Sequence, residues 1–204
     1  MAEKSIYLAS RSPRRRELLK QIGIDFEMLL LRSDPRRGAD VDESPLANEP
    51  PNDYAVRIAR MKAEVGMRAV AMRSLRPKPV LAADTTVVVD DAIIGKPEHR
   101  DDALRILSLL SGREHRVISV VAMAHRDQVE DRVSMSTVWF RKLGEDEIRR
   151  YADTGEPMDK AGAYGIQGRA GMFVTRIEGS YSGIMGLPLA ETAELLQKFG
   201  IALL

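Results

Sequence analysis

Cysteine is absent from the 204 residues, which excludes disulfides, thiolate nucleophiles and cysteine-based zinc sites. Histidine is scarce. The three, His99, His115 and His125, match no His-x-x-x-His metal pair. Aromatic residues make up only 5%, too few for the stacking platforms that bind single-stranded nucleic acid. There is no excess of one charge: Lys+Arg is 31 and Asp+Glu is 30. A nucleic-acid binder carries a clear basic surplus, so nucleic acid is not expected as a partner. No apolar run reaches the ~18–20 residues of a membrane span. The apolar run in MAEKSIYLASRS is too short for a signal peptide. The expectation is a cytoplasmic protein without a membrane partner.

What is there is the composition of a globular protein, 44% apolar and 30% charged. The length suits a single domain over residues 1–204, and any division would be into two lobes around a cleft within one fold. Periodicity predicts strands at Ser5–Ala9, Asp25–Leu31, Pro79–Val89, Ala92–Ile94, Arg116–His125, Val133–Arg141 and Met172–Ile177. It predicts helices at Pro13–Gly23, Asp53–Met72, Asp101–Leu110, Glu145–Ala152 and Pro188–Phe199. Ser33–Asn52, with four prolines and many charges, reads as a long functional loop. Strands and helices alternate without a strict βαβ rhythm, which predicts an α/β fold with a mixed sheet.

Two stretches carry chemical signals of their own. In SRSPRRREL (Ser10–Leu18), Ser12 stands at an N-cap position and Pro13 suits the first helical residue. Arg14, Arg15 and Arg16 then fall in the first turn, where each cation costs about 0.3–1 kcal/mol against the helix dipole. Serine hydroxyls, free backbone N–H groups and arginines converge there sensibly if the ligand is a compact anion. In PVLAADTTVVV, Asp84 interrupts an otherwise apolar central strand. A buried carboxylate is costly unless paired, hydrogen-bonded or metal-bound. Asp84 is therefore expected to face a cleft as a general base or metal ligand.

Other segments say less. Asp42 and Glu43 in VDES are ordinary as two adjacent acids, and Lys62 sits on a charged helix face. Lys96 in IIGKP is fixed by a tight turn but lacks P-loop spacing. DKAGAYGIQGRAG (Asp159–Gly171) is glycine-rich without dinucleotide spacing. Its backbone can approach a ligand closely, with Lys160 and Gln167 as donors. GSYSGIMGLP (Gly179–Pro188) repeats the Ser, Gly, Pro signature of a helix start.

Taken together, LASRSPRRRELL, VDES, RIARMKA, AADTTVV, GKP, DKAGAYGIQG and GSYSGIMGLPL resemble one family, the Maf (septum formation inhibitor) proteins. They follow one another over nearly the whole chain. The resemblance implies an elongated α/β fold with a central cleft, similar to inosine triphosphate pyrophosphatases. It implies hydrolysis of nucleoside triphosphates between the α and β phosphates, assisted by Mg²⁺ or Mn²⁺. It assigns Asp84 as the proton acceptor. Three specificity positions fall on Arg14, Thr85 and Gln167, a set that looks like the dTTP/UTP pyrophosphatase subgroup; the 7-methyl-GTP subgroup has Trp, Gln and Glu there. The family often has a polar or small apolar residue where Gly183 and Met185 stand, a departure outside the assigned sites.

The expected arrangement follows. Ser10, Arg15, Lys62 and Lys96 hold the phosphates, and Asp84 with Glu43 holds the divalent cation. Thr85 and Gln167 read the base edge. Arg16 faces solvent, and a homodimer is expected by base rate. Two rival readings stand beside this one. One is a nucleotide-binding regulator of septum formation with little turnover; the other is RNA binding through Ser10–Arg16, which the charge balance disfavours.

Overall fold

The computed structural model describes residues 5–32 and 40–203. Among these, seven strands form one mixed sheet: β1 (Ser5–Leu8), β2 (Asp25–Met28), β3 (Val80–Val89), β4 (Ala92–Ile94), β5 (Glu114–His125), β6 (Gln128–Phe140) and β7 (Val174–Glu178). The spatial order is β2-β1-β3-β5-β6-β7, with β4 beside β3. β1 pairs in parallel with β2 and β3, and the remaining pairings are antiparallel. Six α-helices accompany them: α1 (Pro13–Gln21), α2 (Pro51–Met72), α3 (Arg100–Leu110), α4 (Glu145–Ala152), α5 (Tyr181–Met185) and α6 (Leu189–Lys198). The expected α/β class with a mixed sheet is borne out.

Local differences have local causes. α2 begins at Pro51, two residues before the expected Asp53, because proline's fixed φ suits a first helical turn. Of the loop expected over Ser33–Asn52, residues 33–39 lie outside the described residues. β2 stops at Met28, where the register with β1 ends. β6 starts at Gln128, five residues before the expected Val133, because a two-residue turn keeps His125 paired with Gln128. Arg126 supplies the positive φ of that turn, 55°. The glycine-rich stretch is mostly short 3₁₀ turns at Glu156–Asp159, Ala161–Ala163 and Arg169–Phe173. β7 follows them, over Val174–Glu178.

The alternation of β3 and β5 sorts the core. Val80, Ala82, Val88, Ile118, Val120 and Ala122 point to one face, where α2 covers them with Ala55, Ala59 and Ala63. Small residues let helix and sheet approach closely. A Cβ on Gly66 would lie 2.7 Å from Val80 Cγ1.

The opposite face holds two apolar clusters. Leu81, Ala83, Val121 and Met123 pack under Leu18, Leu19, Leu195 and Leu196 of α1 and α6. Val87, Val89 and Val117 pack with α3, α4, Tyr164 and Phe173. Between the two clusters, on that same face, stand the register partners Thr85 and Ser119. A polar seam therefore crosses the middle of a continuous sheet.

Candidate functional site

The edge of β3 explains where the cleft opens. β5 pairs with β3 along Val80–Val88, which occupies one edge completely. The other edge is shared. β1 holds it at Val80 and Leu81, and β4 holds it at Val87–Val89. No described strand covers the stretch between them, which contains Asp84, Thr85 and Thr86. The gap opens a cleft of about 960 Å³. β4 can return so sharply because Asp90 and Asp91 both take positive φ, 48° and 60°, the requirement of a two-residue hairpin.

Asp84 projects toward α2 and is 7% exposed. Its Oδ1 lies 2.9 Å from Lys62 Nζ, and its Oδ2 accepts from Thr86 Oγ1 at 3.0 Å. Lys62 also meets Glu43 Oε2 at 3.0 Å. Helix α2 and the buried strand β3 thus place one ammonium between two carboxylates. Tyr54 donates to the Glu43 carbonyl at 2.9 Å. Burial, with the charges of Asp84 and Glu43, pushes the Tyr54 hydroxyl up to about 12.

Thr85 projects to the other face and joins the arginine network. Arg15 donates from Nε to the Gly186 carbonyl at 2.7 Å, from Nη1 to Ser10 Oγ at 3.3 Å and from Nη2 to Thr85 Oγ1 at 3.3 Å. Gly186 presents that carbonyl from φ 121°, a conformation open to glycine and strained for other residues. No described carboxylate pairs with Arg15. Burial lowers its pKa from the ordinary value, but an arginine stays cationic. The result is a partly buried cation held by neutral oxygens, a ready place for an anion.

The first turn of α1 behaves as its sequence suggests, with one difference. Ser12 is the N-cap, yet its side chain makes no capping bond; its N–H donates to Ser10 Oγ at 3.2 Å. Arg14 reaches across the cleft to Asp159 Oδ2 at 3.2 Å. Arg16 is exposed, and Arg11 donates to the Leu31 carbonyl at 3.0 Å. Lys96 lines the cleft from the turn after β4, where Gly162 N–H donates to the Gly95 carbonyl at 3.1 Å. It has no ion-pair partner among the described residues. Gln167 lines the rim and is exposed. Lys160 also lines the cleft, but its ammonium is held within its own turn by the Glu156 carbonyl at 2.6 Å.

The structure therefore brings Ser10, Arg14, Arg15, Glu43, Lys62, Asp84, Thr85, Lys96 and Gln167 to one cleft. Seven cationic side chains and four carboxylates line it, in a chain whose net charge is only +1. Four residues escape sequence reasoning. Ser119 Oγ lies 2.6 Å from the Gly183 carbonyl and 3.2 Å from Thr85 Oγ1. A polar residue inside the apolar run RVISVVAMAH was the available signal. Asp159, as the partner of Arg14 145 residues away, and the buried pair His115–Tyr164 had none.

No group of three or more His, Cys, Asp or Glu that could cage a metal occurs among the described residues. Asp84 and Glu43 converge on one cation, Lys62. That donor set fits Mg²⁺ or Mn²⁺ arriving with phosphates, since such an ion keeps several waters and takes one or two protein carboxylates.

Fold and cleft define an α/β protein with a cation-rich cleft at an open strand edge. The chain belongs to the Maf-like protein family, whose model matches residues 5–199. A dTTP/UTP pyrophosphatase of Aromatoleum aromaticum is 57% identical over 97% of this chain and 97% of its own length. A dTTP/UTP pyrophosphatase of Dechloromonas aromatica is 54% identical over 96% of this chain and 97% of its own length. Among solved structures, the Staphylococcus aureus Ham1 protein aligns at a TM-score of 0.46 and 20% identity, covering 96% of this chain and 97% of that one.

Proposed function

We propose that this chain is a nucleoside triphosphate pyrophosphatase that hydrolyses dTTP and UTP, with modified pyrimidine triphosphates as further candidate substrates. The products are the nucleoside monophosphate and pyrophosphate. The observation that carries the reading is a buried carboxylate, Asp84, on an open strand edge, 2.9 Å from Lys62, in a cleft that also holds an arginine with no described counter-ion. Relatives named dTTP/UTP pyrophosphatase match nearly the full chain and support the substrate class.

Each side chain has a role in that chemistry. Asp84 accepts the proton of the water that attacks phosphorus. Lys62 orients Asp84 and has a third N–H left for a phosphate oxygen after Asp84 and Glu43 take two. Arg15, Ser10 and Lys96 hold phosphate oxygens. Arg15 is preorganised by three neutral acceptors, so it can stabilise the leaving pyrophosphate with little rearrangement. Mg²⁺ or Mn²⁺ held by Asp84 and Glu43 supplies, when bound, neutralisation of phosphate charge.

Uracil and thymine present acceptor, donor, acceptor along their pairing edge. The Gln167 amide offers an adjacent donor and acceptor, and Arg14 offers donors only. Thr85 links this base-reading set to Arg15 through its 3.3 Å bond. A cytosine, with a donor in the first place, would set donor against donor and leave such groups unpaired.

The test is a screen of canonical and modified triphosphates for pyrophosphate release under Mg²⁺ or Mn²⁺, with kcat/KM for each. Preference for dTTP and UTP is the expected result. Tight binding without turnover would instead favour a nucleotide-binding regulator. Two finer proposals go with this reading. The protein works in the cytoplasm, consistent with the lack of any described helix long and apolar enough to cross a membrane. It forms a homodimer, which sedimentation velocity would check.

A further inference from the structure

Behind the base-reading loop lies a buried polar pair that the proposed chemistry does not use. His115, on β5, is 2% exposed, and its Nε2 lies 2.8 Å from the Tyr164 hydroxyl. Tyr164 is 6% exposed, and it lines the cleft three residues before Gln167. Phe140, on β6, packs edge-on against both rings, at 5.0 Å from His115 and 4.8 Å from Tyr164. The β5–β6 ladder fixes His115 and Phe140 in turn, with His115 opposite Val138. The sheet therefore grips Tyr164 through one hydrogen bond and two ring contacts.

We infer that His115 is a positioning residue for base selection: through its bond to the Tyr164 hydroxyl it sets the cleft wall from which the Gly165–Gln167 segment departs. The inference deepens the proposed function and rests on it. His115 Nδ1 has no hydrogen-bond partner. A buried polar atom left unpaired is costly, so the ring is not there for core packing alone, where an apolar side chain would serve better. Burial pulls the imidazole down to about 4, so it is neutral at working pH and one ring nitrogen is bare. With the Tyr164 hydroxyl as donor and Nε2 as acceptor, the hydroxyl proton is satisfied, and Nδ1–H is the single orphan, facing aromatic surroundings. The opposite tautomer would orphan both Nδ1 and the tyrosine proton.

The same segment has other anchors, one directly after Tyr164 and one beyond Gln167. Gly165 N–H approaches the Tyr151 hydroxyl at 3.4 Å, Tyr151 donates to Glu156 Oε1 at 3.0 Å, and Arg169 N–H donates to Glu156 Oε2 at 3.3 Å. Losing His115 therefore loosens the Tyr164 wall itself, while Gly165 and Arg169 keep their own hydrogen bonds. Base reading is disturbed, and the phosphate-holding side chains Arg15 of α1 and Lys62 of α2 are not.

The experiment compares wild type with His115→Phe, Tyr164→Phe and His115→Gln. Kinetics are measured on dTTP, UTP and GTP, and affinity for a non-hydrolysable dTTP analogue is measured by calorimetry. His115→Phe and Tyr164→Phe are expected to raise KM for dTTP about tenfold, the effect of one lost hydrogen bond. They should narrow the dTTP/GTP ratio and change kcat far less. His115→Gln places an amide oxygen near the Nε2 position and is expected to restore most of KM. A lowered melting temperature with native KM and native selectivity in both phenylalanine variants overturns the inference and leaves the proposed function standing. A wild type that binds the analogue without turning over dTTP overturns the function, while weaker analogue binding by the variants still supports the positioning role. If His115→Phe does not fold, Tyr164→Phe, which keeps the ring and removes only the hydroxyl, decides the matter by itself.

Discussion

Replacing Asp84 with Asn is the sharpest perturbation available, because it changes charge and basicity while conserving shape. In the structure Oδ1 receives Lys62 Nζ at 2.9 Å and Oδ2 receives Thr86 Oγ1 at 3.0 Å. An asparagine oxygen can keep the lysine contact. The amide nitrogen then faces the threonine hydroxyl, which can turn and accept. Lys62 keeps a full charge partner in Glu43 at 3.0 Å. The fold should therefore lose no more than about one hydrogen bond, on the order of 1 kcal/mol. Catalysis should lose much more. A positioned general base contributes about 10²–10⁴ in rate, equivalent to about 3–5 kcal/mol of barrier. The assay is pyrophosphate release from dTTP and UTP at saturating substrate and Mg²⁺, beside a thermal melt of the same preparations. The expected result is a melting curve close to wild type with kcat down at least about a hundredfold. A folded Asp84→Asn protein with near-native turnover would refute the assignment, and with it the reading of the open strand edge as the reacting centre.

Three further outcomes follow from other parts of the molecule. Gln167→Glu removes the donor half of the amide, so kcat/KM for dTTP relative to GTP should fall by about 10–100-fold, and an unchanged ratio in parallel kinetics would remove Gln167 from base reading. Gly66→Ala places a methyl 2.7 Å from Val80 Cγ1, and overpacking of this kind should cost about 1–3 kcal/mol in chemical denaturation; a neutral result would mean that α2 shifts freely on the sheet. Burial lowers His115 from 6.5 to about 4. The unfolded state then binds the extra proton between those values, so stability is present above the higher one and is lost as pH falls through the window. The His115 share is on the order of 3 kcal/mol, and denaturation of His115→Phe between pH 7 and pH 4 should show a shallower decline than wild type.

The elements were largely legible in the sequence because their signals are local. Leu18 and Leu19 mark the buried side of α1, and the apolar residues on both sides of Asp84 mark β3 as central. The same run singled out Asp84, since a carboxylate there needs a reason. The misplacements fall where a partner decides. β6 extends to Gln128 because β5 supplies hydrogen bonds to residues too polar to look like strand. The glycine-rich stretch showed where backbone can come close, but not that Glu156 and Tyr151 would hold it.

By itself the sequence determined the fold class, the cationic first turn of α1 and the isolated acid of β3, because periodicity, capping and composition act over a few residues. Tertiary structure alone decided that these meet. β1 and β4 leave between them an uncovered length of β3. α2 brings Lys62 to within 2.9 Å of Asp84, 22 residues away in sequence, and Arg14 finds Asp159 across 145 residues. Which carboxylate stands beside which ammonium depends on how three layers pack. No window of sequence contains that information, because each contact joins segments whose separation only the folded sheet removes.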